Sequence, residues 1–156
     1  MTRKHSLIYL QLASVLLTLA ACTMPTDPED TYQRVHKGIL RVGLTEQAPW
    51  VIIHEDRYSG TEVQLVERLA EQLDAEIEWQ EGSESVLLES LERNELDLVI
   101  GGLKKSIPWK TVAFTKPYLV QGENEHVLAL APGENRWLLE LEKFLNGPTV
   151  EAIVEP

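Results

Sequence analysis

From residue 38 the chain alternates short apolar runs with longer segments whose apolar positions recur at helical spacing. "ILRVGL" (39–44), opened by Gly38, predicts a first strand. "APWVIIHEDRYSG" (48–60) predicts a short extended segment turning back at Glu55-Asp56. "TEVQLVERLAEQLD" (61–74) predicts a helix in which Val63, Val66, Ala70 and Leu73 share one face while Glu62, Glu67 and Glu71 face water. "AEIEWQ" (75–80) alternates as a strand, with Ile77 and Trp79 on the same side. "SESVLLESLERNE" (83–95) starts a helix just past Gly82 and is expected to bury Val86, Leu87 and Leu91. "LDLVIGG" (96–102) is almost continuously apolar, as a strand inside a parallel sheet must be. "VAFT" (112–115) and "HVLALA" (126–131) are further short strands. "GENRWLLELEKFLNGP" (133–148) is a helix opened near Glu134, stacking Trp137, Leu141 and Leu145 and stopped by Gly147-Pro148. Strand–helix alternation of this kind predicts an α/β fold, a mostly parallel sheet flanked by helices and joined by right-handed crossovers.

The N-terminus changes the picture. "MTRKH" (1–5) is basic and "SLIYLQLASVLLTLAA" (6–21) is apolar but too short for a comfortable membrane span. The run ends in "LAAC" (19–22), which resembles the lipobox of bacterial lipoproteins, and Cys22 is the single cysteine of the chain. That resemblance implies a signal peptide over 1–22, acylation of Cys22, and membrane attachment through more than one acyl chain. A plain secretory signal with an incidental cysteine is the alternative. Thr23 after the cysteine, where Asp would stand otherwise, favours the outer membrane in a Gram-negative host. Residues 23–37, rich in Pro, Thr and acids, are expected to be a flexible tether.

Composition then narrows the partners. Removing residues 1–22 leaves 134 residues, one ordinary domain, and takes the net charge from −11 to −13. Such acidity argues against nucleic acid and against adhesion to anionic lipid. No histidine or cysteine cluster predicts a metal, and no cofactor is expected. No Ser-His-Asp or Cys-His set points to an enzyme.

"GILRVGLTEQAPWVI" (38–52), "SGTEVQLVERLAEQLDAEIEWQ" (59–80), "LLESLERNELDLVIGGL" (87–103) and "VAFTKPYL" (112–119) together resemble the extracellular solute-binding proteins of ABC transporters, family 3. "HVLALAPGENRWLLELEKFL" (126–145) resembles the C-terminal end of the same family. The resemblance implies one lobe of a periplasmic-binding-protein-like fold over 38–147, with 148–156 as a tail. In the family the chain leaves this lobe after the "PY" element, builds a second lobe, and returns. Here Pro117-Tyr118 is followed within a few residues by the returning strand, so "VQGENE" (120–125) stands where the second lobe would be. Some relatives carry a fused peptidoglycan-cleaving domain, for which no length remains.

The resemblance also implies a ledge beyond the carboxyl ends of the strands. Trp50 matches the family's aromatic after "AP", which packs against ligand. Gly101 and Gly102 match the turn whose backbone meets the ligand, and Glu62 is kept from the "GTEVQL" element. The family then has Ser or Thr followed by an Arg that grips a carboxylate. This chain has Lys104, Lys105 and Ser106, then Trp109 and Lys110, and no Arg. The expected ligand residues are therefore Trp50, Glu62, Gly101, Gly102, Lys104, Ser106, Trp109 and Lys110. The alternative for the two tryptophans is burial at strand ends, and for the lysines an ordinary solvated face. The implied function is a membrane-anchored, extracytoplasmic solute-binding lipoprotein that takes a small polar or anionic solute, weakly or with a transporter or envelope partner. The alternative is a sensing or protein-interaction module that docks a partner on the ledge.

Overall fold

A computed structural model describes residues 25–55 and 57–154. The strands are β1 (Ile39–Leu44), β2 (Ile52–His54), β3 (Arg57–Ser59), β4 (Glu76–Glu81), β5 (Leu98–Ile100), β6 (Ala113–Phe114), β7 (Leu119–Gln121), β8 (Asn124–His126) and β9 (Ala129–Leu130). The helices are α1 (Thr31–Val35), α2 (Thr61–Leu73), α3 (Glu84–Glu92), α4 (Asn135–Leu145) and α5 (Pro148–Val154). A five-stranded sheet runs in the order β4-β1-β5-β9-β6, with β2-β3 and β7-β8 as separate hairpins. β1 is parallel to β4 and β5, and only the returning β9 runs antiparallel to its neighbours.

Side chains alternate across the sheet and so build two cores. Leu98 and Ile100 point into the larger one with Leu40, Val42 and Leu44, beneath α2 and α4. Val99 points the other way, into a smaller cluster with Leu87, Leu88 and Leu91 of α3 and Val127 of the returning segment. Val127 and Leu128, adjacent residues of one extended segment, thus face opposite layers. On α3 the buried face is Leu87, Leu88 and Leu91, whereas Val86 is 51% exposed. At helical spacing Val86 lies too far round from Leu88 to share its stripe.

Both expected termini of the domain move outward. The tether predicted over 23–37 is folded by residue 27. Asp27 accepts hydrogen bonds from the Arg136 and Trp137 amides at 2.7 and 2.9 Å, and so caps α4. Glu134 reciprocates, accepting from the amides of Glu29 at 3.1 Å and Thr31 at 3.3 Å at the start of α1. Val35 is fully buried in the larger core. Arg34 and Arg41 both grip the buried Asp97 carboxylate, at 2.6 and 2.7 Å. Burial pushes the Asp97 pKa up, but the hydrogen bonds from Arg34 and Arg41 outweigh it and hold it below the ordinary value. Composition read these residues as spacer because their partners lie 63 to 110 positions away. At the other end the expected tail holds α5, with Val150 buried in the larger core. Gly147-Pro148 ends α4, and Pro148 then takes the first position of α5, where its missing N–H costs nothing.

Candidate ligand groove

The carboxyl ends of β1 and β5 lie side by side, and the loops that follow them form a groove of about 620 Å³. One wall is Gln47, Pro49 and Trp50, and the floor is Gly101, Gly102 and Leu103. Lys104, Ser106, Ile107 and Pro108 follow from the loop after β5, and Glu84 comes from the first turn of α3. Gln121, Asn124 and His126 come from the β7–β8 hairpin.

Each wall is fixed from below. The first two amides of α2 have no partner within the helix. Thr61 donates to the Pro49 carbonyl at 3.1 Å and Glu62 to the Trp50 carbonyl at 3.0 Å, so α2 holds the Trp50 loop by its backbone. Gly60 makes this approach possible, since a Cβ there would lie 2.3 Å from the Trp50 carbonyl oxygen. Gly101 and Gly102 take φ +149° and +66°, and a Cβ on Gly102 would lie 2.3 Å from Trp50 Cδ1. The indole therefore lies directly over the glycine turn, a contact only glycine permits.

Glu62 is the largest departure from expectation. The 3.6-residue pattern places it with Glu67 and Glu71 facing water, yet its side chain is fully buried. One carboxylate oxygen accepts both turn amides, from Gly101 at 2.6 Å and Gly102 at 2.9 Å. The other accepts the Tyr118 hydroxyl at 2.5 Å. Burial pushes the Glu62 pKa up, against the hydrogen bonds from Tyr118 and the two glycines. Burial and the neighbouring Glu62 likewise push the Tyr118 hydroxyl far above its ordinary value. Glu62 is thus a buttress beneath the floor and does not line the groove. The turn amides expected to meet ligand are spent on it.

The remaining sequence expectations divide. Trp50, Gly101, Gly102, Lys104 and Ser106 come together at the groove. Trp109 does not line it: its indole N–H donates to Glu92 at 2.7 Å, its ring packs on the smaller core, and the Thr111 hydroxyl bonds the same Glu92 oxygen. Trp109 staples the loop after β5 to α3, half-buried there. Lys110 is exposed outside the groove. Cys22 lies outside the described residues.

The hairpin supplies what sequence reading missed. His126 is buried against Trp50, ring centroids 4.1 Å apart at 37°, and Tyr118 meets Trp50 edge-on at 6.3 Å. Burial and then the Lys104 charge push the His126 pKa down, against a backbone hydrogen bond with Gly102. The only sequence signal for this role was "HVLALA" opening on a histidine right after the polar loop.

A family model of bacterial extracellular solute-binding proteins, family 3, matches residues 40–145. The chain belongs to that family. The arginine-bound domain 1 of TmArgBP superposes with a TM-score of 0.66 at 24% identity, over 77% of this chain and 98% of that one. A point mutant of the same domain gives 0.64 at 25% identity, over 70% and 90%. The fold is therefore a single lobe of a periplasmic-binding-protein fold. Membrane-bound lytic murein transglycosylase F of Vibrio campbellii is 29% identical over 96 residues. That match spans 60% of this chain but 18% of the relative's length, so the relative's activity is not carried over. Family 3 proteins bind solutes outside the cytoplasm, and no described helix is long and apolar enough to cross a membrane.

Proposed function

We propose that this family 3 lobe is an extracytoplasmic solute-binding lipoprotein of the ABC-transporter type, anchored through Cys22 and in a Gram-negative host held at the outer membrane. The observation that carries the solute reading is the chemistry of the groove. An apolar floor and walls of Trp50, Leu103, Ile107 and Pro108 are ringed by Gln47, Glu84, Lys104, Ser106, Gln121 and Asn124. None of those six side chains has a hydrogen-bond or ion-pair partner among the described residues. An apolar surface with a few convergent, unspent polar groups is what small-molecule sites share. Glu84 and Lys104 have opposite signs, which suits a small zwitterion as well as an anion. A single lobe buries less of a solute than a closed cleft does, so affinity is modest unless a partner covers the groove. We read the chain as a binder and not a catalyst.

A thermal-shift screen against L-amino acids and small anions tests the reading. A concentration-dependent rise in melting temperature with at least one small solute supports it, by linkage of binding to folding. No shift with any solute at millimolar concentration, together with capture of an envelope protein that Lys104→Glu abolishes, supports the second reading, a docking or sensing module. That reading is favoured by Lys104, Lys105 and Lys110, all exposed, following one another in the loop after β5 of an acidic protein where the family's Arg is absent. A fatty-acid probe tests the anchor: it labels wild type and not Cys22→Ser.

A further inference from the structure

We infer that the β7–β8 hairpin reads the solute's side group, through the carboxamides of Gln121 and Asn124. This rests on the solute-binding reading above. Gln121 and Asn124 are directly opposed in the hairpin register, at its closed end. Opposed residues of an antiparallel pair project from the same face, and the face alternates from one pair to the next. Leu119 and His126 therefore share the face of Gln121 and Asn124, while Val120 and Glu125 occupy the other. The groove confirms that assignment: Gln121, Asn124 and His126 line it, and Val120 is 60% exposed on the far side.

The hairpin is a built wall. Its closing turn uses Gly122 at φ +61°, the conformation that a two-residue hairpin turn requires. The Lys105 amide donates to the Glu125 carbonyl at 2.9 Å, and the Val127 amide donates to the Leu103 carbonyl at 3.1 Å. These bonds stitch the hairpin to the loop that carries Lys104 and Ser106. His126 on Trp50 closes the wall against the opposite side of the groove, and Tyr118, at the root of β7, is tied to Glu62 beneath the floor. The backbone that carries the two exposed carboxamides is thus fixed at the groove by backbone bonds on one side and an aromatic stack on the other.

Their chemistry selects. Each carboxamide offers two donors and an acceptor, and neither is used by the protein. A neutral amide or hydroxyl side group satisfies donors and acceptors together. The hairpin face carries no charge for an ionic side group to pair with, since Glu84 and Lys104 stand on α3 and on the loop after β5, and an aliphatic side group leaves both carboxamides without a partner. The hairpin therefore favours a small zwitterion with a neutral hydrogen-bonding side group.

Isothermal titration of the full-length protein in detergent with L-glutamine and L-norvaline reads this directly, because the two share a head group and an aliphatic stem and differ in the amide. Wild type is expected to prefer L-glutamine by about tenfold or more, the discrimination that a hydrogen-bonding pocket gains over an analogue lacking the group. Gln121→Ala with Asn124→Ala should weaken L-glutamine until the two solutes bind within about threefold, with an unchanged melting temperature. Val120→Ser, on the outer face of the same hairpin, should keep the preference. A double variant that retains the wild-type ratio, or a wild type with no preference, overturns the hairpin's role while leaving solute binding in place. Absence of heat with both solutes at millimolar concentration removes the glutamine-type solute assignment and the hairpin's role with it. The amino-acid and anion screen above then decides separately whether any solute is bound.

Discussion

Replacing Glu62 separates a buttress from a ligand contact. Its carboxylate accepts three hydrogen bonds in a fully buried position, from the amides of Gly101 and Gly102 and from the Tyr118 hydroxyl. Glu62→Ala leaves three donors without an acceptor, and each buried orphan costs about 1–3 kcal/mol. The expected loss is about 3–9 kcal/mol, a large share of the roughly 5–15 kcal/mol that a domain has. Glu62→Gln keeps the shape and an acceptor for the two glycines, so its cost is about 1 kcal/mol or less. Denaturant unfolding followed by fluorescence gives both values. The pH dependence adds a sign. Burial raises the folded pKa of Glu62 above its ordinary 4.5, so the folded state holds this proton more tightly than the unfolded chain. Its contribution is therefore complete below the unfolded pKa and is lost as pH rises through the folded one. Glu62→Gln lacks that slope, and its stability relative to wild type should improve on going from about pH 4 to 7. An alanine variant within about 1 kcal/mol of wild type, or a glutamine variant as damaged as alanine, would refute the buttress.

Other perturbations test other parts of the account. Arg34→Ala should cost about 1–2 kcal/mol in the same unfolding assay, because the partly exposed guanidinium grips buried Asp97, whereas a residue of a free spacer costs within about 0.5 kcal/mol. Asp97 has a lowered folded pKa, so its stabilisation is present above the unfolded value of 3.8 and lost as pH falls through the folded one. Asp97→Asn should lose about 2–4 kcal/mol at pH 7, with the gap to wild type narrowing in acid. Lys104→Glu should weaken solute binding in titration while Lys110→Glu leaves it intact, since only Lys104 lines the groove. Gly102→Ala drives a Cβ into the indole at φ +66° and should lower both the melting temperature and solute affinity.

The sequence made the layers legible because burial imposes a period. β1, α2, β4, β5 and α4 all carry enough apolar positions to fix type and face, and β5 showed its burial on both sides by having no polar residue. Of the candidates named from the family pattern, Trp50, Gly101, Gly102, Lys104 and Ser106 share one groove. Glu62 was misplaced because helical periodicity sees its own helix alone. The acceptor demand that buries it comes from a turn some forty residues on and from Tyr118. Trp109 and Lys110 were placed on the ledge by proximity in sequence to the glycine turn, but Glu92 draws the indole away to α3. Asp27 and Arg34 read as spacer for the same reason that Gln121 and Asn124 read as loop. Short polar stretches carry no period, and their partners are set by tertiary contact.

Amide chemical shifts followed by NMR during titration with L-glutamine test the central claim most directly, because they report where a solute sits. The account predicts progressive shifts at Gly101, Gly102, Leu103, Lys104, Asn124 and the Trp50 indole, with the far face of α2 around Glu67 and Glu71 unmoved. Shifts confined to that far face, or none at the glycine turn at saturating solute, would contradict it.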